Sequence, residues 1–211
     1  MFNIFKYYKI QKELKKFREF KKTFKFEYKI IAENKGDFFC DGELVKKKDE
    51  SEVAICDKWI NVGYKLHDPY SKALSNLFPY TFYFKNKKVF SIESVLQGLK
   101  YKNKKEQDFA LMYFGLDSNT IKICSSYDWT KTGILYWQGR EIVRSSKEYD
   151  DFVEELYISA LQNPLYRNVL KKIDKPYILH SIGVEEKSKT VLTRYEFEYM
   201  LNSLRAYLQK T

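Results

Sequence analysis

The chain has 211 residues, 44% of them hydrophobic and 18% aromatic, and a formal net charge of +10. That length supports one sizeable core, and that apolar content excludes an intrinsically disordered chain. No apolar run approaches a membrane span, and charges interrupt the basic N-terminus where a secretory signal would need an apolar stretch.

The expectation is a cytoplasmic protein with no membrane partner. Cys40, Cys56 and Cys124 are odd in number and lack metal-ligand spacing, and the two histidines are far apart. They read as free thiols in a reducing compartment, with no metal. The charge is uneven. Residues 1–30 hold ten Lys/Arg against three acids, a net of +7, and the rest is close to neutral. Such a field would draw phosphates; a solvated helix face is the plainer alternative.

Residues 4–22 read as a helix, with Ile10, Leu14, Phe17 and Phe24 on one stripe. The period then changes to two, and Phe24, Phe26, Tyr28 and Ile30 predict a half-buried strand. Asp41-Gly42 predicts a hairpin turn, and residues 46–52 an exposed loop. Trp59 to Val62 is strand-like. Thr81–Phe84 and Lys88–Phe90 flank a second candidate turn at Lys85-Asn86-Lys87. A helix starts at Ser91. A polar region with Asp128-Trp129 and Tyr136 to Arg140 follows. Ser145 to Glu148 fits a capping box for a helix carrying Phe152, Val153, Leu156 and Ala160. Asn163-Pro164 caps the next helix, Tyr177 to His180 reads as a strand, and Thr193 to Glu196 caps a last helix. The sum is an α+β domain, predominantly helical, with a small sheet.

The Ser91 helix holds the candidate chemistry. Ser91 can cap it, and Glu93 lies in the first turn, where the helix dipole favours a carboxylate. At ~100° per residue, Gln97, Lys100 and Lys104 fall within about 40° of Glu93, and Ile92, Val95, Leu96 and Leu99 form a separate apolar arc. One side is core. The other is a Glu-Gln-Lys stripe, which is either a solvated face or the wall of a pocket. In a pocket, the carboxylate could stabilise an oxocarbenium-like centre or position water.

Four segments in order resemble the NADAR family of YbiA-like proteins. They are Leu74-Ser75-Asn76-Leu77-Phe78-Pro79, the helix from Phe90 to Tyr101 with Ser91, Glu93, Gln97 and Lys100, the run from Glu155 through Leu170, and Thr190-Val191-Leu192-Thr193 through Arg205. The region from His180-Ser181-Ile182-Gly183 to Thr193 departs from the family's Gly-rich loop. It is similar to a branch that pairs an aromatic-Gly-Arg segment, here Tyr136 to Arg140, with this sequence.

The resemblance implies a YbiA/NADAR-like domain over residues 57–211, preceded by a basic helix and hairpin extension over 1–56. It implies an N-glycosidase that hydrolyses a ribose C1–N bond with no cofactor, and Glu93 as the catalytic carboxylate. Ser75, Asn76, Gln97, Lys100, Trp137, Arg140 and His180 are then substrate contacts. Phosphate binding would fall to Lys189, Thr190 and the N-terminus of the last helix. The expected substrate is ADP-ribosylated guanine in nucleic acid, in partnership with a DarT-like toxin system. A ribosylated riboflavin-pathway intermediate is an alternative substrate, and a nucleotide sensor without hydrolysis an alternative activity.

Overall fold

The computed structural model describes residues 4–26, 33–34, 37–40, 43–46, 58–114 and 128–211. The Asp41-Gly42 turn, the loop after Lys46, the strand beyond Phe26, and Cys56 and Cys124 lie outside those residues.

The chain opens with α1 (Ile4–Lys21), whose Ile10, Leu14 and Phe17 are buried in the main core. Its expected stripe runs one turn past the helix end. Phe24 stacks on Phe20 and tilts against Tyr199, but residues 24–26 are not in a strand. β1 (Glu33–Asn34), β2 (Asp37–Cys40) and β3 (Glu43–Lys46) form an antiparallel meander.

β4 (Trp59–Asn61) pairs in parallel with β9 (Tyr177–Leu179), far away in sequence. Asn61 and Ser181 bond reciprocally across the end of this pair, Nδ2 to Oγ at 2.8 Å and N to Oδ1 at 2.9 Å. This brings the chain after β4 beside His180.

α2 (Pro69–Ala73) is capped by Asp68. β5 (Phe82–Phe84) and β6 (Lys87–Val89) form the expected hairpin, one residue tighter than predicted. Lys85 and Asn86 both take positive φ, 43° and 67°, as a two-residue turn matched to strand twist requires. α3 (Ile92–Gly98) follows, capped by the Ser91 side chain on Ser94 N at 3.0 Å. Its apolar arc, Ile92, Val95, Leu96 and Leu99, is buried as the spacing requires. The polar stripe does not reach Lys104, because α3 stops at Gly98 and Asn103 caps a separate α4 (Lys104–Ala110). Lys104 lies instead against Gly139.

α5 (Trp129–Thr132) leads into β7 (Ile134–Trp137) and β8 (Arg140–Val143), a hairpin that the polar reading of this region missed. Gln138 and Gly139 carry its positive φ values. Buried Gln107 holds the turn from α4, donating to Gly98 O and Tyr136 O and accepting from Gln138 N.

α6 (Lys147–Ala160) is capped by Ser146 on Tyr149 N, one residue later than the expected Ser145–Glu148 box, and α7 (Pro164–Lys172) has the predicted asparagine cap. α8 (Arg194–Lys210) has the predicted capping box and buries Phe197, Met200, Leu201, Leu204 and Leu208. One main hydrophobic cluster joins α1, the hairpins and the long helices. The molecule is thus α+β and rich in helix, with four small sheets among the described residues in place of the one expected. Among those residues, no helix is long and apolar enough to cross a membrane.

Candidate functional site

A cleft of about 470 Å³ opens where the first turn of α3, the turn before it, the end of the β4–β9 pair and the start of α8 meet. Ser75, Asn76, Glu93, Gln97, Lys100, His180, Lys189 and Thr190 all line it. The volume is within the usual range for a small-molecule site.

Contacts across the cleft hold several of these residues in place. The backbone N of Glu93 donates to Asn76 O at 2.9 Å, so the Ser75-Asn76 turn and the α3 N-terminus form one unit. Ser75 Oγ accepts Leu77 N, which shapes that turn. Gln97, one helical turn after Glu93, donates from Nε2 to Glu93 Oε1 at 2.5 Å. That donation fixes the amide, and it leaves Gln97 Oε1 buried with no hydrogen-bond partner among the described residues. A buried acceptor left open costs about 1–3 kcal/mol and asks for a donor. Glu93 is half-buried and Gln97 buried, and they are the only acid and the only glutamine among the described residues that line the cleft.

Opposite α3, His180 Nδ1 lies 2.8 Å from Val62 O. A carbonyl can only accept, so Nδ1 carries the proton and Nε2 is the acceptor in the neutral ring. His180 N donates to buried Glu198 Oε1 at 2.6 Å, and the ring packs edge-on against Phe197. Burial pushes the Glu198 carboxyl up to about 8, and the His180 N–H bond only partly opposes this. Asn202, one turn on, bonds both the N and O of Ile178 in β9. The α8 face therefore grips the strand that ends in His180. Gly183 follows at φ 127°, where a Cβ would sit 3.3 Å from Arg194 Cβ; a side chain here would be both strained and crowded.

The segment before α8 is held from behind. Buried Arg144 bonds Thr190 O at 3.0 Å and both oxygens of Glu196, and Tyr149 donates to Val191 O. Burial works to raise the Glu196 carboxyl, but the hydrogen bonds from Arg144 and Thr193 outweigh it and hold it below the usual range. The expected phosphate site at the α8 N-terminus is not open. Arg194 N donates to Val184 O, Tyr195 N to Glu185 Oε2 and Glu196 N to Thr193 Oγ1, so the first backbone donors are already used. Lys189 pairs with Glu186, and Thr190 Oγ1 donates to Leu192 O. An anion here would have to be met by side chains.

Two predicted contacts do not reach the cleft. Trp137 is buried edge-on between Phe84 and Phe152 in the core. Arg140 is exposed and pairs with Glu148 at 2.9 Å. Sequence reasoning passed over Tyr64 and Arg194, which both line the cleft. Arg194 had a signal: a cation at the first position of a helix opposes the helix dipole. Its Nε sits 2.7 Å from Glu185 Oε1.

No solved structure matches the chain. It is 32% identical over 139 residues, 64% of its own length, to the "Uncharacterized 17.1 kDa protein in Gp30-rIII intergenic region" of Enterobacteria phage T4, and the alignment covers 90% of that protein. Residues 69–206 match the family described as bacteriophage protein GP30.3, a span that holds every predicted site residue and leaves out α1 and β1–β4. The chain belongs to the bacteriophage GP30.3 protein family.

Proposed function

We propose that the cleft binds a ribosylated nucleotide and hydrolyses its ribose C1–N bond, with Glu93 as the catalytic carboxylate. The carrying observation is the convergence on one cleft of eight residues that the sequence points to, around the only carboxylate among the described residues of its lining. Lys100, Lys189 and Arg194 line the same cleft as that carboxylate, Lys189 and Arg194 paired there with Glu186 and Glu185, and these side chains are the cations that would meet a phosphate. The Gln97 acceptor would take a ribose hydroxyl or a base amino group. Glu93 would stabilise positive charge at C1 or activate water on the opposite face. The preferred substrate is ADP-ribose on guanine in nucleic acid, and the preferred setting is the cytoplasm, opposite a DarT-like ADP-ribosyltransferase toxin. The substrate chemistry and the toxin come from the resemblance to NADAR proteins, the preference for nucleic acid from the basic N-terminus, and the cytoplasm from the cysteine pattern.

The test is incubation with guanine-ADP-ribosylated DNA and chromatography of released ADP-ribose. Wild type should release it, and Glu93→Gln should lose about 10²–10⁴-fold in rate, the usual weight of a positioned acid or base. No release by wild type, or equal rates, would end this reading. The second reading is a sensor that binds ADP-ribose and returns it intact. It is favoured by the engagement of Glu93 Oε1 with Gln97, which leaves one carboxylate oxygen for chemistry. Cleavage of small ribosylated riboflavin-pathway intermediates but not of modified DNA would move the substrate assignment.

A further inference from the structure

Tyr157 lies in the last turn of α6, wholly buried, and does not line the cleft. Its hydroxyl donates to Asn76 Oδ1 at 2.8 Å. The main chain of Asn76 is tied as well, through its carbonyl to Glu93 N. Asn76 is thus pinned between the core helix α6 and the first turn of α3.

The sense of the Tyr157 bond follows from satisfaction. A buried O–H needs an acceptor, and among the described residues this hydroxyl makes no other hydrogen bond. Were the Asn76 amide turned over, the hydroxyl would accept from Nδ2 and its own proton would have no acceptor. The amide therefore keeps Oδ1 on Tyr157. Nδ2, which has no hydrogen bond among the described residues, is then the amide's remaining donor, on a residue that lines the cleft together with Glu93. Burial also holds the Tyr157 hydroxyl well above the ordinary tyrosine range, so the donor persists at any working pH.

We propose that Tyr157 is a positioning residue for the Glu93 site: it locks the Asn76 amide so that Nδ2 donates to an oxygen of the bound ribosyl group. This rests on the N-glycosidase reading. It adds a residue from outside the cleft and a required feature of the ligand, an acceptor oxygen beside the scissile bond. Its energetic logic is preorganisation. An amide free to turn would present oxygen to oxygen in half of its orientations, next to an acidic group.

A double-mutant cycle on ADP-ribose release tests it, using Tyr157→Phe, Asn76→Ala and the pair, with thermal melts to show that each variant is folded. Tyr157→Phe should lower kcat/KM about tenfold, the size of one neutral hydrogen bond. Asn76→Ala should lower it further, and the double variant should match Asn76→Ala alone, since Tyr157 acts only through that amide. Multiplicative losses, or a Tyr157→Phe enzyme with wild-type kcat/KM, overturn the proposal while the glycosidase reading stands. Asn76→Asp gives a second arm should Tyr157→Phe not fold. It keeps an acceptor for the tyrosine but lacks the donor, and it should be as impaired as Asn76→Ala. Wild-type activity in Asn76→Asp also overturns the proposal. A wild-type protein that releases no ADP-ribose overturns both.

Discussion

At the scale of single residues, Gln97 separates a group kept for stability from one kept for a ligand. Its Nε2 holds Glu93, which favours the fold, and its buried Oε1 has no partner among the described residues, which opposes it. A charge-assisted bond contributes about 1.5–3 kcal/mol, and an open buried acceptor costs about 1–3 kcal/mol. The two nearly cancel. Gln97→Leu fills a similar volume and removes both, so its stability by denaturant unfolding should stay within about 1 kcal/mol of wild type. Its affinity for ADP-ribose, read by titration calorimetry, should fall about tenfold, because the ligand loses an acceptor and Glu93 loses its clamp. A large loss of stability with unchanged affinity would make Gln97 a structural residue.

Secondary-structure elements show how far the sequence could be read. Caps and apolar arcs are local, and the expectations built on them are realised to within a residue. Ser91, Asn163 and Thr193 cap as their spacing indicates, whereas the Ser145–Glu148 box gives way to a cap one residue later, at Ser146 on Tyr149 N. The failures came where a distant partner decides. Gln138 at positive φ is an unusual turn former, and its hairpin depends on Gln107 of α4. The parallel β4–β9 pair joins two three-residue runs with no helical or alternating pattern to link them. In the site, the local Glu93–Gln97–Lys100 stripe was legible, whereas the Tyr157–Asn76 bond spans 81 positions and has no periodicity to betray it.

The α8–β9 junction gives a prediction with a definite sign. Glu198 has a folded-state value of about 8, against an ordinary 4.5 in the unfolded chain. Between these values the native state binds more protons than the unfolded state, so stability falls as pH rises from about 4.5 to about 8. The depressed carboxyls, Asp128, Glu186 and Glu196, act at the other end and lose their contribution as pH falls below the ordinary range. Thermal melts at pH 5 and pH 8 should therefore show a lower Tm at the higher pH. Glu198→Gln keeps an acceptor for His180 N and should remove most of that drop. An equal drop in the variant would place its origin elsewhere.

For the whole molecule, the basic N-terminus is both structure and field. Ile10, Leu14 and Phe17 enter the main core, and Phe17 meets Tyr207 of α8 at 5.6 Å. Arg18 reaches Asp151 and Glu154 of α6 at 2.8 and 2.9 Å, Lys21 also pairs with Glu154, and Glu13 takes Arg167 of α7 at 3.3 Å. Removing residues 1–30 would strip one wall of the core, so truncation is a poor probe of nucleic-acid binding. Lys12, Lys15 and Lys16 are exposed, and they can be neutralised without touching that wall. If this face holds a polyanion, Lys12→Gln, Lys15→Gln and Lys16→Gln together should flatten the salt dependence of DNA binding. The expected change is about 0.7–0.9 in log K against log salt for each lysine that contacts phosphate. Release from a single ADP-ribosylated guanosine should be unchanged, because no described residue of α1 lines the cleft. An unchanged salt slope would show that α1 serves the fold alone. A parallel loss on the small ligand would mean that its charges act at the cleft through the general field of the protein.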